Sequence, residues 1–358
     1  MPHITPTYVG DLESKLRVIQ EDESVKLAAA EYLWWQYITK VIPSSTRREI
    51  ITWIMNTAQL EQTGLGGNIA FDDMYMLETE FVALDAGKGI KIRRKQFEDL
   101  DGQGVSTIAA WVRQMAAQFA YWPQKQIAAL LQLGESVKSY DNVNYFSNAH
   151  PLNPFLPGVG TYANLFTGAA ASTPSTDAND ALYPGACPLD NSVTPDVALA
   201  NMAKVYSYLA AVKMPNGVDP RRLRPAKLLV APALFPRAVQ LTSAKFLASA
   251  AGAAAAQGGS SDVESLIAAL GYGMPVQCDE LTDPTSWYIA IDMKGSTELG
   301  ALAYVDREPF SIRYYTGRGG GNGVDAILDR ADELEWHSSG RNIAAPGHPH
   351  LLAKVKAA

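Results

Sequence analysis

The chain has 358 residues, 47% hydrophobic and 19% charged, an ordinary globular balance that excludes a wholly disordered protein and leaves room for two domains at about 150 residues each. A formal charge of -7 argues against a protein whose task is gripping phosphate backbones, and two cysteines, Cys187 and Cys278, exclude a disulfide scaffold or a tetrathiolate zinc site. With no apolar run near the ~20 residues of a membrane span and no basic-then-apolar start, the expectation is a soluble protein of a reducing cytosol.

Residues 1–10 carry two prolines and a glycine and predict an extended arm. Residues 11–42 set Leu12, Leu16, Ile19, Leu27, Tyr32, Leu33 and Trp35 among charged residues and predict a helix, ended by Pro43-Ser44-Ser45. Trp34 and Trp35 point about 100° apart on such a helix, so one of them should face something other than the local core. Residues 74–84 and residues 90–93 flank the turn-like Asp85-Ala86-Gly87-Lys88-Gly89 and predict a hairpin. One arm offers Glu78 and Glu80; the other offers Lys91, Arg93 and the adjoining Arg94. A two-stranded ribbon is marginal alone in water, so this one must lie on its own domain or on a neighbouring subunit.

Residues 105–134 are the longest predicted helix, with a stripe of Val105, Ile108, Val112, Met115, Phe119 and Trp122. Pro123 predicts a kink or break near residues 120–122, and Gly134 a C-terminal cap. Residues 139–185 read as a long irregular connection. Thr194 and Pro195 predict a helix start, and its stripe runs to Val212. Residues 227–231, 276–278, 287–291, 302–305 and 310–315 predict strands, residues 234–250 a helix, and residues 250–261 a flexible Ala-Gly loop. Helix and strand thus alternate in the second half, an α/β or α+β pattern.

Isolated motifs carry little chemistry. Gly317-Arg318-Gly319-Gly320-Gly321-Asn322-Gly323 follows a predicted strand, but too little chain follows it for a dinucleotide-binding half; a mobile glycine loop is the better reading. His3, His150, His337, His348 and His350 contain no helical zinc pair, and His150 is read as a hydrogen-bonding residue. Glu78 and Glu80 share a strand face but have no apolar pocket to make them an acid/base pair, so they read as solvated or partner-facing. Neither cysteine carries a nucleophile signature. Arg47-Arg48, Arg93-Arg94-Lys95 and the Arg221, Arg222, Arg224 group suit ion pairs between subunits better than DNA reading.

The order of the pieces is more specific than any one of them. Residues 77–101 (LETEFVALDAGKGIKIRRKQFEDLD), the helix over residues 104–134, residues 145–152 (YFSNAHPL), residues 225–232 (PAKLLVAP) and residues 287–292 (WYIAID) with Glu308-Pro309-Phe310 run colinearly. This set resembles the Mu-like phage major head subunit family, which is similar to the Hong Kong 97-type capsid fold, over about residues 70–315. The glycine-rich stretch from Gly317 departs from the family's more aromatic final strand.

The resemblance implies an α+β Hong Kong 97-type fold. Residues 1–45 would be the N-terminal arm and helix, and residues 46–103 the extended hairpin loop overlying a neighbour. Residues 104–189 would be the peripheral domain with its spine helix, residues 190–305 an α/β axial domain, and residues 306–358 the return to the peripheral domain. It implies a major capsid protein without catalytic residues, cofactor or metal, which self-assembles into hexamers and pentamers closing as an icosahedral shell around double-stranded DNA. Glu78, Glu80, Lys91, Arg93 and Arg94 are the candidate intersubunit contacts. The expected partners are further copies, a separate scaffolding protein (the N-terminal segment being too short to hold one), a portal and a decoration or cement protein. DNA would be enclosed without sequence-specific binding, and no membrane is expected. The expected place is the virion, after assembly in the host cytoplasm. An encapsulin-like compartment shell is one alternative, and a nucleotide-dependent α/β enzyme using Gly317 to Gly323 is another.

Overall fold

The computed structural model describes residues 6–28, 33–46, 48–54, 76–99, 103–156, 158–168, 182–243, 270–292, 300–314 and 333–357. In chain order the elements are α1 (Pro6–Ala28), β1 (Thr39–Pro43), β2 (Arg48–Ile54), β3 (Met76–Val82), β4 (Leu84–Arg93), α2 (Arg94–Asp99) and α3 (Gln103–Leu133). The short strands β5 (His150–Pro151), β6 (Thr161–Tyr162) and β7 (Leu165–Phe166) precede α4 (Pro195–Ala211), β8 (Pro225–Val230) and α5 (Phe235–Ser243). The last part holds β9 (Val276–Gln277), β10 (Trp287–Ile291), β11 (Leu302–Tyr314), β12 (Glu333–Pro346) and β13 (Leu352–Val355).

Two sheets organise these pieces. The first has four strands in the order β1-β11-β12-β4. Along β12, strand periodicity turns Leu334 and Trp336 to one face, where they meet Leu12 and Leu16 of α1 and Ile108 and Val112 of α3. The second sheet has five strands in the order β7-β13-β10-β8-β9. Every residue of its central strand β10 is buried, which is why WYIAI reads as an unbroken apolar run rather than an alternating one. Met202, Val205 and Leu209 of α4 close this second core.

Helix α3 ties the two cores together. Its 31 residues span about 46 Å; the first half packs in the first core, while Ile127, Ala128 and Leu131 enter the second. Of the kink or break predicted at Pro123, the break is not found: the helix continues through a buried proline. Burial of both halves outweighs the hydrogen bond that the ring removes. Glu280 adds a polar tie, accepting from Trp34 Nε1 at 2.9 Å and from Gln124 Nε2 at 2.8 Å. A second tie brings Lys354 Nζ and Lys356 Nζ each to 2.7 Å from the Glu135 carboxylate at the end of α3. Burial alone would raise the Glu135 pKa, but the bonds and charges of the two lysines outweigh it and hold the group below its usual value.

Several expectations are corrected. Helix α1 begins at Pro6, inside the predicted arm, and the single helix over residues 11–42 gives way to a short 3₁₀ turn at Trp34–Tyr37 and to strand β1. Trp34 and Trp35 are both buried in the second core, although they diverge there, Trp34 to Glu280 and Trp35 to the Tyr304 ring 5.8 Å away. The predicted strands at residues 302–305 and 310–315 form one strand, β11, with register irregularities between Asp306 and Ser311. The chain's last strand, β13, does not join the first sheet but pairs antiparallel with β10 in the second. The Gly317 to Gly323 stretch and the Ala-Gly loop at residues 250–261 lie outside the described residues.

The largest correction concerns the hairpin. β3 pairs antiparallel with β2, whereas β4 pairs antiparallel with β12 along its whole length. The Asp85 to Gly89 stretch, read as a turn, is therefore mid-strand. Its glycines serve close approach: a Cβ on Gly87 would stand 2.6 Å from the Ser338 carbonyl oxygen of β12.

Candidate assembly surfaces

The ribbon of β2 and β3 is registered from Arg48 opposite Val82 to Ile54 opposite Met76. Period-two alternation gives it two unlike faces. Ile51, Trp53, Leu77 and Phe81 face inward and pack with Ala303 and Ala345 of the first sheet. Arg48, Ile50, Thr52, Met76, Glu78 and Glu80 are exposed on the other face. The ribbon thus has its own anchorage, and its outer face remains open.

The anchorage is an aromatic and histidine cluster. The Trp53 ring stacks on Tyr140 at 4.7 Å and meets His348 edge-on at 4.7 Å; His348 in turn lies 4.9 Å from His350. Burial, with a smaller push from the Arg221 charge, lowers the His348 pKa to about 4 and drives that of His350 well below its usual value, where His348 and His150 also contribute. His150 has the hydrogen-bonding role expected of it: its Nδ1 is 2.6 Å from Asp141 Oδ2 and its Nε2 is 3.1 Å from the Tyr145 carbonyl oxygen. Among the described residues no group of His, Cys, Asp and Glu is placed to hold a metal ion, and no helix is long and apolar enough to cross a membrane. Both cysteines are free thiols, and burial raises the Cys187 pKa to about 11.

The five candidate contact residues do not share one ribbon. Glu78 and Glu80 stand on the exposed face of β3, with Glu80 2.7 Å from Arg48 across the ribbon. Lys91 and Arg93 stand on β4, at the rim of the first sheet, and Arg94 opens α2. Lys91 lies 3.5 Å from Glu333, and Arg93 is opposite Glu333 in register. The structure therefore brings the acids together and the bases together, on separate surfaces. The residues that fix the ribbon, Ile51 and Trp53, went unread in the sequence, although the alternation in IITW was a strand signal.

Beside β4, between it and α3, runs an open groove of about 810 Å³ lined by Leu84, Trp111, Met115, Phe119 and Phe310. Leu84 is 60% exposed at its mouth.

Two family models match the chain. That of the Mu-like prophage major head subunit gpT covers residues 20–184, and that of phage capsid proteins covers residues 158–342. The chain belongs to the phage capsid protein family. It is a major capsid protein of the tailed-phage kind, and its place is the virion. Both models describe phage proteins, which sets the compartment-shell alternative aside. No curated protein sequence matches.

Solved capsids share the fold of this capsid protein. The procapsid of bacteriophage JBD30 is 16% identical over 99% of this chain and 76% of its own, with a TM-score of 0.50. The JBD30 capsid decorated with minor capsid protein trimers is 18% identical over 72% of this chain and 93% of its own, also at 0.50. The capsid of cyanophage P-SCSP1u is 12% identical over 90% of this chain and 88% of its own, at 0.49. At these identities the likeness to the JBD30 chains is one of fold, the α+β Hong Kong 97-type arrangement, and family and fold are those of structural proteins.

Proposed function

We propose that copies of this chain form hexamers and pentamers that close as an icosahedral shell around double-stranded DNA, without catalytic residues. The observation that carries the reading is the pair of colinear family matches spanning residues 20–342. In this reading the first sheet with α1 and α3 is the peripheral domain, with α3 as its spine. The second sheet with α4 and α5 is the axial domain, gathered around the symmetry axes. The boundaries expected at residues 45, 103, 189 and 305 serve as first approximations, with β13 assigned to the axial side because it pairs with β10.

The ribbon of β2 and β3 is the extended loop that reaches a neighbouring copy, and Glu78, Glu80, Lys91, Arg93 and Arg94 supply charged contacts between copies. The formal charge of -7 suits a container that holds DNA without gripping it. A separate scaffolding protein and a portal complete the assembly. A decoration protein is a further partner, by analogy with the trimers on the JBD30 capsid. Size exclusion and negative-stain microscopy of the purified chain, alone and with its scaffolding protein, test the reading. Shells, tubes or capsomers are the expected result; a monomer under every condition contradicts it.

A further inference from the structure

A second recess lies against the next face of α3, where α1, the 3₁₀ turn at Trp34–Tyr37, β11 and β12 meet around about 500 Å³ of open space, a volume of small-ligand size. Its charge is one-sided. Of the side chains that line it, Glu21 and Asp306 are acidic, and no lysine, arginine or histidine is among them. Asp306 follows Tyr304 by two residues on β11, so strand alternation turns both toward the recess. Burial pushes the Asp306 pKa up, and no neighbouring charge pulls it back. Its Oδ1 has no hydrogen-bond donor. Asn342 stands opposite it in register and leaves its own Nδ2 unbonded, so the acid is neither paired nor neutralised there.

Two aromatic pairs surround that acid. The Trp35 and Tyr304 rings are 5.8 Å apart, the Phe119 and Phe310 rings stack at 4.2 Å, and all four residues line the recess. Aromatic faces carry partial negative charge and attract a cation held within about 6 Å. Pro123 adds an acceptor. Having no N–H, it leaves the Phe119 carbonyl one turn back without its helical donor, at the level where Phe119, Ala120 and Pro123 line the recess. Val25 and Val41 line the same space and are exposed. Carboxylate, ring faces and a carbonyl thus converge beside an apolar rim.

We infer that this recess binds a primary ammonium group carried on an alkyl stem. The N–H donors bond the Asp306 carboxylate and the freed Phe119 carbonyl, the charge rests against the aromatic rings, and the stem lies along Val25, Val41 and Pro123. The two acids repel an anion, and a neutral ligand of the same shape leaves Asp306 uncompensated. Two sources share this chemistry, a free aliphatic amine and the lysine side chain of a neighbouring polypeptide, and the experiment separates them. The recess is complete within one chain, so the inference stands whether or not the capsid reading does.

Ligand-observed NMR on the unassembled chain tests this, with n-butylammonium chloride as the probe and n-butanol as its neutral isostere. The ammonium should bind about tenfold or more tightly than the alcohol, and Asp306→Asn should remove that preference, because the charge-assisted bond is lost. Asp306→Asn should also raise the urea midpoint of the amine-free chain, since it removes a partly buried charge that has no partner. In the wild type the probe should raise that midpoint; in the variant it should not. If Asp306→Asn does not fold, judged by circular dichroism, the comparison of ammonium with alcohol carries the test alone. Assembled particles separate the sources. A particle that binds the probe as the free chain does points to a free amine; one that excludes it points to a neighbouring lysine already in place. Equal binding of ammonium and alcohol, a preference that survives Asp306→Asn, or no binding at all overturns the inference and leaves the capsid reading intact.

Discussion

At the residue scale, the group with the clearest consequence is His348. It is held neutral under Trp53, with its pKa brought from 6.5 to about 4 by burial and by the Arg221 charge. His350 behind it is shifted the same way. A histidine whose folded pKa is depressed binds fewer protons folded than unfolded, so its stabilising effect is complete above pH 6.5 and is lost as pH falls toward 4. For His348 the loss by pH 5 is about 2 kcal/mol. Urea unfolding of the unassembled protein should therefore show a lower midpoint at pH 5 than at pH 7, and His348→Phe should reduce that difference while the His350 share remains. An unchanged midpoint between the two pH values contradicts the buried neutral imidazole. None of this was legible in the sequence, where His348 and His350 were two histidines around a proline in a glycine-proline segment. Their surroundings come from residues 53, 140 and 221, which only the fold brings near.

At the element scale, the ribbon is held by one cluster rather than by a core of its own. Removing the Trp53 ring deletes the stack on Tyr140 and the edge contact with His348. Large-to-alanine changes at buried aromatic sites cost about 3–5 kcal/mol. In Trp53→Ala that loss should fall on the ribbon. Hydrogen exchange in Arg48–Ile54 and Met76–Val82 should accelerate strongly, while exchange in β10 stays slow. Equal acceleration in both places would mean that the ribbon and the second core unfold as one unit.

The sequence located this element only in part. The acidic arm at residues 76–82 is a strand, and β10, β8 and α4 follow their apolar patterns closely, because burial writes its period directly into sequence. The pairing was misread because Gly87 and Gly89 carry the same residue signal whether they make a turn or permit two backbones to approach, and only the partner strand β12 distinguishes the two. Pro123 does not break the helix for a similar reason: a lone proline signals a kink or break, but the two buried halves of α3 hold the helix through it.

At the scale of the whole molecule, the family was legible in the amino-acid sequence itself, through the colinear order of residues 77–101, 145–152, 225–232 and 287–292. Order survives because each piece fills a fixed place in one architecture, even at 16% or 18% identity to the JBD30 capsids. What order could not convey is which surface meets which, since that depends on strand pairing. The low share of charged residues, 19%, is consistent with a molecule that spends much of its surface on copies of itself. The most direct test is a cryo-electron microscopy reconstruction of particles assembled from this chain. The account predicts a closed icosahedral shell with sixfold and fivefold capsomers, each ribbon reaching over an adjacent copy. A particle whose ribbons contact only their own subunit, or no closed particle at all, would contradict it.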